Sequence, residues 1–372
     1  MKVLFDFEDR VNRFWGVPQA TINDVYSMLT SDIEIGAWLS DKEIRLIHRL
    51  EEFPSSSNSF FDKMNLDISR PSNLNLWLSQ FFKVFNSTES DFFYADHFPK
   101  TNFRNAKRII RIHDPFSEFK NPLKEFSSSG NFKLKVARSI RSYAFKLAKS
   151  DSIIVCNSRF TANRVSKIYD IPLEKLHVVP NSFNLNLGSN LKSQFTSKQQ
   201  GNYYLMICGF RGHKRPDIVI NCWAQLSKKL PNLVVIGTVP MSVLSDSAKN
   251  QIRLGRLVIK SGITEHELNV LKINSNAMIF ASEYEGFGRP IIEALIAGVP
   301  SIANDLDVFK ELDPGCVDFF SLKQLDTLVE LLKRYQTKIT IKESEFLIKK
   351  SKIYSHEAVG KIWKNLLSLK LV

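Results

Sequence analysis

Glu285 and Glu293 stand eight residues apart in the stretch ASEYEGFGRPIIEALIAGVP, residues 281–300. Gly286-Phe287-Gly288 lies beside the first of them. A carboxylate can accept hydrogen bonds from paired hydroxyls such as those of a sugar. Glycines let the backbone approach a ligand closely. The free N–H groups and positive end of a following helix suit a diphosphate. On spacing alone the stretch is equally an ordinary strand, loop and helix bearing two surface glutamates, since a lone glycine loop is a weak signal. A second set lies in CGFRGHKRPD, residues 208–217, where Gly209 and Gly212 accompany Arg211, Lys214 and Arg215. A guanidinium forks onto two oxygens and a lysine supplies a point charge, which together would grip a diphosphate. The alternative is a basic turn, although cations at a helix start oppose its dipole unless an anion joins them. A third candidate is His113, followed by Asp114, after the apolar run Arg108–Ile112. A lone histidine is more often structural, and Asp114 is equally a cap for the next turn.

Strand-to-helix turns must position these groups. In the second half, apolar runs predict strands at Tyr203–Cys208, Leu233–Val239, Ala277–Ala281 and Ser301–Ala303. Helical periodicity predicts helices over 216–229, 264–273 and 322–335, with a further helix after the glycine loop ended by Gly298-Val299-Pro300. Alternation at this spacing means a doubly wound, mostly parallel sheet, whose ligands bind beyond the carboxyl ends of its strands. The first half predicts strands at Val3–Phe5, Asp91–Tyr94, Arg108–Ile112, Ser152–Cys156 and Leu176–Pro180. Helices are expected over 19–30, over 132–149 and after Asn157-Ser158. The polar stretch 184–202 reads as a linker. Domains are therefore expected at 1–183 and 203–350, with a packing helix in the tail 351–372 whose apolar positions run from Ile353 to Leu367.

The run Ser282, Glu285, Gly286, Phe287, Gly288, Pro290, Glu293, Ala294, Ala297, Gly298, Pro300 resembles the donor-site signature of retaining glycosyltransferases of family 4, the glycosyl transferases group 1. Arg289 departs from it, standing where the family has an apolar residue. The resemblance implies GT-B architecture: two Rossmann-like doubly wound domains facing across a cleft, the first for acceptor, the second for a nucleotide sugar. It implies that Glu293 accepts from the ribose, that Glu285 and Gly286 to Gly288 line the sugar, and that Gly209, Arg211 and Lys214 hold the diphosphate. The 208–217 segment is one residue shorter than the family's Gly-Arg-x4-Lys, with Phe210 where arginine is expected, so Arg211 substitutes. The stretch ending at His113-Asp114 is similar to the family's Thr-Ile-His-Asp, which implies that His113 touches the transferred sugar. His113, Glu285, Arg211 and Lys214 are thus the residues expected at the reaction centre. Gly16, after the first strand, is a weak match to a glycine loop near acceptor and donor phosphates. Asn157-Ser158-Arg159-Phe160-Thr161 and Val179-Pro180-Asn181-Ser182 resemble fold landmarks of the family. The tail helix is expected to return to the first domain. Retention without an established protein nucleophile implies front-face substitution assisted by the leaving phosphate.

The chain has 372 residues, 44% hydrophobic and 24% charged, ordinary for a globular protein of two domains. The opening MKVLFDFEDRVNRFW turns acidic within a few residues, unlike a signal peptide, and no apolar run approaches the roughly 20 residues that span a bilayer. Cys156, Cys208, Cys222 and Cys316 are scattered, which favours a reduced cytoplasmic setting. No Asp-x-Asp pair stands in a site-like context and no His/carboxylate cluster suggests a metal, so no cofactor or metal is expected beyond a GDP- or UDP-linked sugar as co-substrate. The net charge of +13 suits an anionic partner. Between Lys100 and Lys149 the only acids are Asp114, Glu118 and Glu125, which reads as a solvated basic face or as a contact with the anionic inner membrane face, where lipid-linked acceptors reside. The function expected is transfer of a sugar, such as mannose, to a glycan or lipid-linked glycan in polysaccharide or lipopolysaccharide synthesis. Two rivals stand beside it: a non-catalytic sugar-binding relative, and a nucleic-acid-binding protein suggested by charge alone. The second lacks a recognisable module or interleaved aromatics, so no nucleic acid is expected.

Overall fold

A computed structural model describes residues 1–6, 17–38, 64–67, 90–96, 106–113, 152–185, 201–209, 212–226 and 229–371. These fall into two compact units. The expected helix over 132–149 lies outside the described residues, as does most of the basic stretch between Lys100 and Lys149.

The first unit is built on a seven-stranded sheet. Its strands are β1 (Lys2–Asp6), β2 (Glu34–Trp38), β3 (Met64–Asp67), β4 (Phe92–Asp96), β5 (Lys107–Ile112), β6 (Ser152–Cys156) and β7 (Leu176–Val178). They lie in the order β3-β2-β1-β4-β5-β6-β7. Every pairing is parallel. Both faces are buried, so these strands read as apolar runs rather than as alternation. Val3, Phe5, Tyr94, Ile109 and Val155 face one core cluster. Ile110, Ile112, Ile154 and Cys156 face another. The C-terminal helix His356–Leu371 belongs to this unit and gives Val359, Trp363 and Leu367, at spacings of four, to the first cluster. It packs on the helix Val17–Leu29 so closely that a Cβ at Gly360 would overlap the Ser27 carbonyl. The tail helix expected over 351–372 begins only at His356: Lys352–Tyr354 form a 3-10 turn, which follows a separate helix, Ile341–Ser351, that was not anticipated. Phe183 N donates to the Tyr354 carbonyl at 2.8 Å in that break.

A buried polar network crosses this unit. Arg111 and Asp24, both with wholly buried side chains, are paired with Nε 3.0 Å from Oδ2. Tyr94 Oη donates to Asp24 at 2.7 Å and Trp363 Nε1 at 3.4 Å. Arg111 Nη1 donates to the carbonyls of Val179 at 2.7 Å and Cys156 at 3.1 Å. The guanidinium also lies 5.3 Å from the Trp363 ring centroid. Such a charge is tolerable in a core only when paired and hydrogen-bonded throughout.

The second unit carries a six-stranded sheet of β8 (Tyr203–Gly209), β9 (Asn232–Gly237), β10 (Leu257–Lys260), β11 (Ala277–Phe280), β12 (Ser301–Asn304) and β13 (Val317–Phe320). The order is β10-β9-β8-β11-β12-β13, parallel throughout. From β8 and β11, Tyr204, Met206, Ala277 and Ile279 share one core with Val219, Trp223, Leu328 and Leu332 of the helices Pro216–Leu226 and Asp326–Arg334. The intervening Leu205, Met278 and Phe280 are buried as well. The helix Asp246–Arg253 and strands β10 and β13 were not anticipated. β10 and β13 are edge strands; Asp318 interrupts β13, and β10 is the short run Leu257-Val258-Ile259 between Arg256 and Lys260. In each sheet the strand order reverses at one place, between β1 and β4 and between β8 and β11. A reversal splays the following loops apart and leaves a crevice at the carboxyl ends of its two strands.

Candidate functional site

The loops after β8 and β11 meet at the reversal point of the second sheet. The Glu283 N–H donates to the His213 carbonyl at 2.8 Å, tying one loop to the other. Arg215 reinforces the tie from a left-handed backbone, φ 43°. Its Nε and Nη2 fork onto Asp217 at 3.1 and 2.8 Å, and its Nη1 donates to Glu283. Arg215 therefore braces the loops, whereas Lys214, one residue earlier, pairs with Glu285.

Glu285 also accepts from the Ser282 hydroxyl at 2.7 Å. Burial pushes its carboxyl up, but the Lys214 ammonium, the Ser282 hydroxyl and His213 outweigh this and hold it below the usual carboxylate range. Asn304, at the end of β12, donates to the Ser282 carbonyl at 2.9 Å and fixes the loop from below. Lys214, Ser282, Glu285, Gly288, Pro290 and Phe309 line a small concavity.

The helix Arg289–Ala297 begins here. Gly288 caps it at φ 93° and ψ 44°, without a side-chain bond to its first N–H groups. Pro290 brings no N–H there and the Ile291 N–H donates to the Gly288 carbonyl at 3.1 Å, so an incoming anion meets the positive end of the helix dipole rather than a row of open donors. Gly298, at φ 66°, ends the helix, its N–H donating to Ala294 and Leu295 carbonyls. Gly286, Phe287 and Gly288 are all buried in the loop. Glu293, one turn into the helix, meets Lys272 Nζ at 2.9 Å and has Arg289 Nη2 at 3.7 Å. Burial raises its carboxyl too, and Lys272 with Arg289 reverses the shift to a net lowering.

The structure thus brings Lys214, Glu285, Gly288 and Ser282 to one concavity, with Glu293 on the helix that starts there. Gly209 ends β8, where the register with β9 slips. His113 sits in the first unit at the carboxyl end of β5, buried, its carbonyl accepting from Asn157 Nδ2 at 2.7 Å. Arg211, Phe210, Asp114 and Gly16 lie outside the described residues. Sequence reasoning missed Lys272, Asn304 and the bracing by Arg215. A lysine on a helix reads as solvated, and nothing in its spacing to Glu293 signals a pair. Among the described residues no group of three His, Cys, Asp or Glu side chains could hold a metal ion, and no helix is long and apolar enough to cross a membrane.

A crevice with one ammonium, paired carboxylates and a helix start can take a ligand that joins phosphates to hydroxyl-bearing rings. Residues 189–312 match the family model described as Glycosyl transferases group 1. The chain is 27% identical to the O-antigen chain mannosyltransferase RfbU of Salmonella typhimurium over 150 residues, 40% of each chain. It is 36% identical to the serotype-specific mannosyltransferase WbdA of Escherichia coli over 93 residues, 24% of this chain and 11% of that one. Among solved structures, Anabaena Alr3699/HepE in complex with UDP and glucose superposes with a TM-score of 0.63 at 16% identity, 99% of both chains being covered. The matches thus span two-fifths or less of the length of these curated relatives.

Proposed function

We propose, from the match of residues 189–312 to the family model described as Glycosyl transferases group 1, that the chain is a member of that family and transfers a hexosyl group from a nucleoside diphosphate sugar to a glycan or lipid-linked glycan. The observation that carries this is the Lys214–Glu285 pair at the reversal point of the second sheet, beside the start of the helix that bears Glu293. The relatives named as mannosyltransferases support mannose as the group moved. The neighbour holding UDP and glucose supports a nucleoside diphosphate carrier. In this reading the diphosphate takes Lys214 from Glu285 and lies at the positive end of the helix that starts beyond Gly288. Glu285, released, accepts from hydroxyls of the sugar, and Glu293 accepts from the ribose. As the glycosidic bond breaks, charge grows on the departing phosphate, and Lys214 is held where it stabilises that charge. Arg211 is assigned the same task. Reaction with retention then proceeds on the front face, the leaving phosphate taking the acceptor's proton, with no divalent ion. The basic stretch between Lys100 and Lys149 and the O-antigen relatives support work at an anionic inner membrane face on a lipid-linked acceptor.

A thermal-shift panel of GDP- and UDP-sugars, with and without Mg²⁺, tests the reading on wild type, Glu293→Ala and Lys214→Ala. Stabilisation by one nucleotide class without Mg²⁺, lost in both variants, is the expected outcome. Folded protein that no nucleotide stabilises sinks it and points to a relative without turnover.

A further inference from the structure

We infer that Lys272 is a positioning residue for Glu293, fixing carboxylate oxygen Oε2 so that Oε1 is presented to the ribose hydroxyls of the bound nucleoside diphosphate. The inference rests on the role proposed above for Glu293.

Lys272 lies in the last turn of the helix Glu265–Asn274, which starts with a capping box formed by Thr264 and Glu267. A lysine on a helix ordinarily lays its methylene stem on apolar surface and keeps its ammonium in water. This one does not, for its side chain is 6% exposed. Burying an ammonium carries a heavy desolvation cost unless a counter-charge meets it. The counter-charge is Glu293, with Oε2 at 2.9 Å from Nζ. Asn269 Oδ1 follows at 3.3 Å and Glu265 Oε1 at 3.9 Å. The shortest contact of the head group is therefore with one oxygen of Glu293, with Asn269 and Glu265 behind it.

The other oxygen is treated differently. Glu293 Oε1 has Arg289 Nη2 at 3.7 Å, beyond hydrogen-bonding distance. Arg289 contributes charge and leaves Oε1 its accepting lone pairs. A glutamate with one oxygen pinned and the other presented loses less freedom when a pair of hydroxyls arrives, so the ligand meets a prepared acceptor. Burial would otherwise favour the protonated carboxyl, which turns an acceptor into a donor, and the Lys272 ammonium, the nearest cation, opposes it most strongly. Both Lys272 and Arg289 stand outside the glutamates and glycines that attract attention in the sequence.

The competing role is a plain ion pair that staples the helices Glu265–Asn274 and Arg289–Ala297. Equilibrium binding separates the two, with GDP, UDP and their 2′,3′-dideoxy analogues as probes, on wild type, Lys272→Met and Lys272→Arg. Wild type should prefer the ribonucleotide. Lys272→Met should weaken the ribonucleotide about tenfold, the scale of one hydrogen bond to a charged group, and leave the dideoxy analogue unchanged. Lys272→Arg should recover most of the preference. Equal weakening of both ligands, or a preference that survives in Lys272→Met, overturns the inference and leaves a staple. Wild type that binds neither diphosphate, or binds ribo and dideoxy forms alike, overturns the role of Glu293 itself and the inference with it. If Lys272→Met does not fold, Lys272→Gln decides by the same comparison.

Discussion

Replacing Gly288 by alanine should damage the second unit in two separable ways. Gly288 holds φ 93° and ψ 44° at the cap of the helix Arg289–Ala297. An L-residue in the left-handed region costs about 1–2 kcal/mol. The new methyl carbon would also stand 2.6 Å from Phe309 Cε1 and 2.8 Å from Cδ1, far inside contact distance. Phe309 is 1% exposed, so moving its ring either disturbs packed neighbours or fills the concavity it lines. Overpacking of that kind costs about 1–3 kcal/mol. The total expected loss is therefore about 2–5 kcal/mol. Urea unfolding of Gly288→Ala measures it, and a cycle with Phe309→Leu divides it. In the Phe309→Leu background the ring contact is gone, and Gly288→Ala should cost the backbone part alone, about 1–2 kcal/mol. A total loss below about 0.5 kcal/mol, the size of an ordinary surface change, would refute the reasoning. Equal losses in both backgrounds would refute the steric half. Gly288 also lines the concavity beside Lys214 and Glu285, so nucleotide affinity should fall in the same variant.

In the first unit, Asp24→Asn removes the counter-charge of a fully buried guanidinium and should cost about 3–5 kcal/mol in urea unfolding. The double variant Asp24→Asn/Arg111→Met should recover much of it, because no unpaired charge then remains. Glu285 and Glu293 are both held below the usual carboxylate range, so their contribution to stability is complete above the ordinary value of about 4.3. It is lost as pH falls from there through the lower folded values. The Glu285→Gln/Glu293→Gln variant should accordingly show a shallower fall of stability with acid than wild type. Parallel acid profiles would contradict that assignment.

Much of this molecule is legible without coordinates, for a local reason. A parallel strand buried on both faces must be an unbroken apolar run, and Ala277-Met278-Ile279-Phe280 and Ser152–Cys156 are such runs. Glycine and proline mark where the chain must turn, so Gly288 and Gly298 bound their helix as expected. Strand β13 stayed hidden because Asp318 breaks its apolar run, and β10 because Leu257-Val258-Ile259 is short and flanked by Arg256 and Lys260. The tail helix was read as starting near Ile353 because its periodicity runs back through the 3-10 turn at Lys352–Tyr354, where Phe183 bonds the Tyr354 carbonyl.

The candidate site divides along the same line. Sequence alone determined residue type and order: a strand, a glycine loop with Glu285, a helix with Glu293, and a basic glycine turn before Lys214. That is possible because a strand-to-helix turn is a local object with its own composition rules. Tertiary structure decided which charge answers which. It places β8 beside β11, although 67 residues lie between Gly209 at the end of β8 and Ala277 at the start of β11, and so sets Lys214 on Glu285. It turns Lys272 inward onto Glu293 and spends Arg215 on Asp217 and Glu283. Pairings of this kind depend on strand order and helix packing, which carry no signature in the spacing of the residues they join.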